Sequence, residues 1–245
     1  MPLPLPVALT PTALAGGVLA SASPLPAGWE NGVEFLSNAC LVPERVAVCP
    51  ENYTGTPDAV GSETFLPFDM RQGVKCSSQS RLDVAKVAGE VMEITDEYLI
   101  GQELQDGTAS SNPSLNDATI LGNVDTPEEA IALIEAAGAA ALAGRLIVIH
   151  VPPVLAAYLP EICYQDSAGN WRTPFGSLVV MSPGYTGTTV WGTGEIYAMV
   201  GTVELKAKMD RSVNTDEGWA ERPGIVVFDP CFLVAVETPD SPGSI

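Results

Sequence analysis

The sequence is short of the residues on which most enzyme sites and nucleic-acid-binding surfaces depend. Its 245 residues include one histidine, and eleven Lys and Arg stand against thirty Asp and Glu, so that the formal net charge is −19 at pH 7. A surface that wraps DNA tightly needs clustered Lys and Arg to neutralise the phosphates. The composition therefore excludes such a surface, although it does not exclude a protein that encloses nucleic acid at a distance.

Charge is missing altogether from the N-terminal segment. Residues 1–29 contain no Asp, Glu, Lys or Arg, and prolines occupy positions 2, 4, 6, 11, 24 and 26. The segment lacks the basic start of a secretory signal, and Pro11 and Gly16-Gly17 interrupt it as a membrane span, which needs about 20 apolar residues. Because proline fixes φ and removes a backbone donor, we expect an extended strap that lies on neighbouring copies of the same protein.

The cysteines are odd in number and widely spaced, and no two of them form a C-x-x-C pair. They are Cys40, Cys49, Cys76, Cys163 and Cys231. This spacing argues against a disulfide framework or a zinc site and favours buried thiols in a reducing cytoplasm. We therefore predict no metal and no cofactor.

The few cations are unevenly distributed. Most lie in two groups, which are Arg71, Lys75, Arg81 and Lys86, and then Lys206, Lys208 and Arg211. No basic residue occurs between Lys86 and Arg145, whereas acids recur from Glu90 to Asp106. Two solvated faces are the simpler interpretation. The alternative is that basic segments of one subunit meet acidic faces of another, which would set the choice of partner and the register.

Two long elements are predicted in the first half of the chain. Short strand-like runs flank the turn-rich N-Y-T-G-T-P-D within residues 45–80, which predicts a long exposed hairpin that needs a partner surface. Ser80 then resembles an N-cap for a helix of about twenty-five residues that Gly107 ends. The residues expected on its apolar face are Leu82, Ala85, Val87, Val91, Ile94, Tyr98 and Leu99.

The second half predicts helices followed mainly by strands. Thr126-Pro127-Glu128-Glu129 is a capping box with proline at the first helical position, and it begins an Ala-rich helix that Gly144 ends. A strand over 145–151 and a shorter helix over 152–161 follow, and the chain is mostly β from Trp171 onward. This order indicates an α+β fold.

Candidate catalytic groups are few. His150 lies in the strand RLIVIHV without a second histidine, and a structural role is favoured over a general base. The loop TGTTVWGTG, residues 186–194, has no lysine and leads into a strand, so it fails as a phosphate-binding loop. We predict a flexible loop at the tip of a sheet instead.

Adjacent acids are the remaining candidates. Asp96 and Glu97 form one pair and Asp216 and Glu217 another, but neighbouring side chains on a helix point in different directions, so each pair is expected to be a solvated face. There is no G-x-S-x-G nucleophile elbow. No catalytic, cofactor-binding or metal-binding residue is therefore assigned, and the protein is predicted not to be an enzyme.

The order of these parts resembles a known family. An apolar arm, a long hairpin, a long helix, the run LIVIHVPPVLAAYL, then TPFGSLVVMSPGY and a closing VVFDPCFLVAVET are similar in arrangement to the major capsid protein of tailed bacteriophages. That family has the Hong Kong 97-type fold, which encapsulin shells share. The resemblance implies an N-terminal arm (1–43), an E-loop hairpin (44–80), a P-domain spine helix (81–122), an A-domain (123–197) with residues 186–194 as an axial loop, and return strands (198–245).

The resemblance also implies a function. It predicts a protein that self-assembles as hexamers and pentamers into an icosahedral shell around double-stranded DNA, in a virion assembled in the bacterial cytoplasm, with scaffolding, portal or decoration proteins as further partners and no membrane. Some members of the family link a lysine to an asparagine, and Lys75 is the only lysine in the hairpin. No matching asparagine and acid are identified, so we predict no cross-link.

Three alternatives remain open at this point. An encapsulin-type compartment would share the fold and enclose a protein cargo, and a decoration or connector protein would lack the long helix. A hydrolase would need a pocket that brings His150 to an acid and a nucleophile.

Overall fold

The computed structural model of the protein describes residues 5–7, 17–37, 61–77, 83–142, 145 and 147–239. The strands in these residues are, in chain order, β1 (Leu5–Val7), β2 (Ser23–Pro24), β3 (Val33–Ser37), β4 (Gly61–Phe65), β5 (Phe68–Ser77), β6 (Thr119–Asn123), β7 (Val148–Val151), β8 (Tyr164–Gln165), β9 (Trp171–Arg172), β10 (Leu178–Met181), β11 (Thr189–Thr193), β12 (Ile196–Val200), β13 (Glu204–Asp210), β14 (Thr215–Phe228) and β15 (Leu233–Glu237). The α-helices are α1 (Val84–Asp106), α2 (Pro127–Ala141) and the short α3 (Leu159–Ile162). Helices and sheets occur together, which confirms the predicted α+β class.

The first sheet contains an antiparallel pair of strands on either side of the predicted turn. β3 pairs antiparallel with β4, and β1 adds to β3 in parallel. The turn-rich centre lies between β3 and β4, within residues 38–60, which are outside the described residues. The strand predicted before this centre also lies outside the described residues, so the bounds 44–80 stay a prediction. β3 begins at Val33, before those bounds, and β5, the strand that follows β4, belongs to another sheet.

The second sheet is built around the long strand β14. Its order is β13-β14-β12-β2, and β5 pairs with β14 over ten residues, from Thr215 opposite Ser77 to Gly224 opposite Phe68. The pairing of β14 with β5 and its pairing with β13 both extend to the turn between β13 and β14. Residues 68–77 thus form part of a packed sheet with strands from the C-terminal part of the chain.

Helix α1 lies across this second sheet. Its N-cap is Asp83, whose carboxylate accepts from the Lys86 N–H, and it ends at Gly107 with φ 62°. The helix and its end at Gly107 confirm the prediction, whereas the N-cap lies three residues after Ser80. Gly218 of β14 faces the start of α1, where any side chain would collide with the Val84 and Ala85 backbone.

The predicted apolar face of α1 was wrong for Ile94 and Tyr98, whereas Leu99 packs against the core and Leu82 lies outside the described residues. Most of the buried residues follow a different ridge at four-residue steps, which consists of Val84, Ala88, Met92, Asp96, Ile100 and Leu104, and Gly101 and Glu103 are buried beside it. Ile94 and Tyr98 are 80% and 41% exposed. An acid inside the buried ridge and two large apolar residues outside it disguise the true face in the sequence.

The third sheet has the order β6-β15-β11-β7-β10-β9-β8 and carries α2 on one face. Thr126 caps α2, its hydroxyl accepting from the Glu129 N–H at 3.2 Å, and Pro127 is the first helical residue, as predicted. Ile134 of α2, Ile149 of β7 and Val236 of β15 form part of the core between them. The predicted end at Gly144 lies outside the described residues. No described helix has both the length and the apolar character of a membrane span.

Candidate functional site

His150 is buried in β7 and has no exposed surface. Its Nδ1 lies 2.9 Å from the Tyr185 hydroxyl, and its Nε2 lies 2.9 Å from the Thr193 hydroxyl. Because the Thr193 hydroxyl donates to the Gly194 carbonyl, it accepts from the imidazole, so that Nε2 carries the proton and Nδ1 accepts from Tyr185. Burial lowers the pKa of His150 to about 3. A neutral, inaccessible imidazole of this kind ties strands to a loop and cannot reach a substrate.

The predicted flexible loop over residues 186–194 is mostly a strand. Thr189–Thr193 form β11, between β15 and β7 in the middle of the third sheet. Val190 and Trp191 are buried, and a side chain at Gly192 would collide with Ile134 of α2. The glycine serves close packing of helix on sheet, so the prediction of a flexible sheet tip was wrong for these residues.

In each of the two pairs of adjacent acids, at least one carboxylate is bound to a cation from another part of the chain. Asp96 accepts a hydrogen bond from the Arg222 guanidinium, and burial raises the pKa of the Asp96 carboxyl while Arg222 opposes that shift. Glu217 forms an ion pair with Lys75 at 2.6 Å. Neither pair places two carboxylates across a shared space, which a two-acid mechanism requires.

Glu97 holds the N-terminal segment. Its two carboxylate oxygens accept from the consecutive backbone N–H groups of Val18 and Leu19, each at 2.8 Å. A Cβ at Gly17 would lie 3.0 Å from the Glu97 carboxyl carbon, so the backbone passes close to the carboxylate. Burial raises the pKa of Glu97, and the two N–H donors oppose the shift. Val18, adjacent to Gly17, is completely buried.

This anchor changes the interpretation of both segments. Glu97 was expected on a solvated face, and no local pattern marks it, because its partners lie 78 and 79 positions away. The described part of the arm rests on its own chain, through Glu97 and through β1 beside β3. Contact of the arm with neighbouring copies stays a prediction.

The two groups of cations meet in the second sheet. Arg71 pairs with Glu221 at 2.6 Å, and Lys206 on the other side of β14 also pairs with Glu221. Together with the Lys75–Glu217 pair, these contacts satisfy three cations within one chain, against the hypothesis that they meet another subunit. Among the described residues, Lys208 and Arg211 form no ion pair. Arg81 lies outside the described residues.

The thiols depart in part from the prediction. Cys76 and Cys163 are not disulfide-bonded, and burial raises the pKa of the Cys163 thiol to about 11. Cys231 is disulfide-bonded. The expectation that all five are thiols was therefore wrong for Cys231. The described residues contain no cluster of His, Cys, Asp and Glu able to hold a metal ion.

Comparisons with known proteins were made for the sequence and for the structure. No family model matches the chain, and no curated protein matches it. Among solved structures, the capsid of an empty GTA particle is similar with a TM-score of 0.60 at 11% identity, covering 93% of this chain and 91% of that one.

Two further structures are similar over nearly the whole chain. A chain of Mycobacterium phage Ogopogo matches with a TM-score of 0.55 at 14% identity over 98% of this chain and 97% of its own. A chain of Gordonia phage Cozz matches with a TM-score of 0.55 at 13% identity over 97% of this chain and 85% of its own. The protein therefore has the fold of phage capsid structures, as the resemblance in its sequence predicted.

Proposed function

We propose that this protein is the major capsid protein of a tailed bacteriophage and self-assembles into an icosahedral shell around the double-stranded DNA genome. The observation that carries the proposal is the similarity of fold to a GTA particle capsid over 93% of the chain. We also propose that the protein is not an enzyme, since His150 has no exposed surface and Asp96 and Glu217 are each paired with a cation.

We further propose a Hong Kong 97-type layout with revised boundaries. The E-loop would include β3 and β4 and so would begin before the predicted bounds of 44–80. The P-domain would combine α1 with the second sheet, and the A-domain would combine α2 with the third sheet. On this assignment the A-domain includes β6 and β15 and so exceeds the predicted residues 123–197. The arm before β3 would be shorter than 1–43.

Assembly by many copies suits the surface chemistry of the chain. Apolar area buried between subunits contributes about 25 cal/mol per Å², and the uncharged residues 1–29 supply such area without desolvating charge. A net charge of −19 weakens the attraction of the subunits for DNA, so that a packaged genome is released easily. Hexamers and pentamers, closed by symmetry, would be the assembling units, in the host cytoplasm and then in the virion. Scaffolding, portal and decoration proteins are further proposed partners.

Electron microscopy of the expressed protein tests this function. Full-length protein should form closed shells or sheets of capsomers, and a variant without residues 1–16 should assemble less, because it loses the apolar strap but keeps the Glu97 contacts to Val18 and Leu19. A variant without residues 240–245 is the matched control. A full-length protein that stays monomeric at all concentrations, with and without phage scaffolding protein, would contradict the proposal.

The same particles separate the proposal from its nearest alternative. A genome container made during infection should protect double-stranded DNA from nuclease, whereas an encapsulin-type compartment should copurify with a protein cargo. Assembly into a ring of a single size, without shells, would instead indicate a connector. Loss of a hydrolytic activity on His150→Ala would be needed to revive the enzyme alternative.

A further inference from the structure

The turn between β13 and β14 lies at one end of the second sheet. We call residues 208–213 the tip. Two of its side chains, Met209 and Val213, are 56% and 60% exposed. Lys208 and Arg211 are exposed and form no ion pair among the described residues. Asp210 accepts from the backbone N–H and the hydroxyl of Ser212 at 2.9 and 2.6 Å, which orders the turn. The tip is therefore a structured surface that combines exposed apolar groups with positive charge.

Helix α1 presents a surface of the opposite charge. The side directed away from the second sheet follows one four-residue ridge, the outer ridge, which consists of Lys86, Glu90, Ile94, Tyr98 and Gln102. Ile94 is 80% exposed, more than the other large apolar residues of the helix. Glu90 and Glu93 are exposed beside it, and Glu93 forms no ion pair in the described part of the chain. Lys86 lies 3.7 Å from Glu90 and leaves the ridge acidic around Ile94.

The tip and the outer ridge of one chain cannot meet. Leu205 of β13 contacts α1 at Gly89, while Gly218, which pairs with Ala207, contacts α1 at its first residues. Residues of β13 closer to the tip therefore lie closer to the N-terminal end of α1, and the tip itself lies beyond that end. Ile94 lies in the other direction, ten residues or about 15 Å along the helix axis, and on the opposite side of the helix. Contact between these surfaces requires two copies.

We propose that the tip of one copy docks on the outer ridge of α1 in a second copy, with Lys208 and Arg211 beside Glu90 and Glu93 and with Met209 and Val213 against Ile94 and Tyr98. Opposite charge around apolar centres selects this partner and this register. The contact joins two different surfaces, so it is heterologous and propagates into rings or extended arrays. The inference rests on the proposed shell function and names one of the contacts from which that shell is built.

Zero-length carbodiimide cross-linking of the wild-type protein tests the contact directly. Equal amounts of ¹⁴N- and ¹⁵N-labelled chains are mixed, assembled and treated, and the cross-linked peptides are identified by mass spectrometry. The expected product joins Lys208 to Glu93 or Glu90, with half of its copies of mixed isotope. Lys75 and Glu217, 2.6 Å apart in one chain, are the internal control and should give products of a single isotope. Cross-links from Lys208 mainly to the β3–β4 hairpin or to a second tip would overturn the inference.

Charge exchange gives an independent readout. Arg211→Glu and Glu93→Arg should each raise the subunit concentration for half-assembly about tenfold or more, because like charges then face each other at an interface. The double variant should return it to within about threefold of wild type. Glu161→Arg changes an exposed charge on α3 by the same amount and should leave assembly unchanged. A double variant no better than the single variants would overturn the inference.

The inference and the function fail in different ways. Wild-type shells without a Lys208 cross-link to α1, or with full assembly of Arg211→Glu, would overturn the docking of the tip and leave the capsid function intact. A wild-type chain that remains monomeric under all conditions would overturn both. Circular dichroism and thermal unfolding of each variant should match wild type, because the exchanged residues are exposed.

Discussion

Replacement of Glu97 by alanine should release the N-terminal segment from α1 while the rest of the fold stays intact. The substitution removes both acceptors of the Val18 and Leu19 N–H groups, which lie at 2.8 Å. Hydrogen bonds to a charged group contribute about 1.5–3 kcal/mol each. Burial of the carboxylate opposes this gain, as the raised pKa of Glu97 indicates. We therefore expect a loss at the lower end of the combined range, about 3 kcal/mol for docking of the segment.

Hydrogen exchange measures this loss at the segment itself. Because about 1.36 kcal/mol corresponds to a factor of ten, the amides of residues 17–22 should exchange roughly 150-fold faster in Glu97→Ala. Amides near the C-terminal end of β14, including the buried Val226 and Val227, should be unchanged because the core of the sheet is not touched. Glu90→Ala, an exposed acid on the same helix, is the matched control. Protection of residues 17–22 within threefold of wild type in Glu97→Ala would refute the reasoning.

Acid should not release the segment in the same way. The folded-state pKa of Glu97 lies above its ordinary value of 4.5, so the folded protein holds this proton more tightly than the unfolded chain. The part of the stability that comes from protonation of Glu97 is then fully present below pH 4.5 and is lost as the pH rises through the folded pKa. The stability of wild type relative to Glu97→Gln should therefore increase between pH 7 and pH 4. If urea unfolding showed that the stability of wild type relative to Glu97→Gln decreases between pH 7 and pH 4, the predicted direction of this pH dependence would be wrong.

Three further predictions concern the core. The pKa of His150 is about 3, against 6.5 for a free imidazole, so its contribution to stability is present above pH 6.5 and is lost as the pH falls toward 3. In urea unfolding between pH 7 and pH 5, the free energy of unfolding of wild type should fall by about 2 kcal/mol more than that of His150→Gln. The same dependence on pH in both proteins would refute this. Arg222→Ala leaves the Asp96 carboxylate buried without its cation and should lower the free energy of unfolding by about 3 kcal/mol, measured from the urea midpoint. The double variant Asp96→Leu with Arg222→Met should lose less, because it leaves no buried charge unpaired. A double variant as unstable as Arg222→Ala would show that the charge is not the cause. Gly218→Val should lower the free energy of unfolding by about 1–3 kcal/mol or more, because the new side chain pushes α1 away from β14. Gly73→Ala, whose Cβ would lie at an ordinary 3.5 Å from Trp219, is the control and should melt at nearly the wild-type temperature. Similar melting temperatures of the two variants would contradict the packing argument.

Local signals in the sequence determined the elements that depend on local chemistry. Thr126 and Pro127 mark the start of α2 because a hydroxyl cap and a fixed φ act within one turn of the helix. Gly107 marks the end of α1 because its φ of 62° suits glycine. The order of arm, hairpin, long helix and β-rich finish also sufficed to indicate the phage capsid fold, since the order of elements is itself a property of the sequence.

Only the tertiary structure decided which surfaces these elements bury and which strands pair. Asp96 belongs to the buried ridge of α1 because Arg222, 126 positions away, supplies its counter-charge. β5 pairs with β14 rather than with β4, and Glu97 binds the arm, for reasons that lie in distant segments. The periodicity of apolar residues predicts the local secondary structure. The partner of an ionisable side chain or of a strand, in contrast, depends on the long-range packing that brings distant segments together. The anchor and the docking surfaces proposed for assembly therefore become visible only in the folded chain.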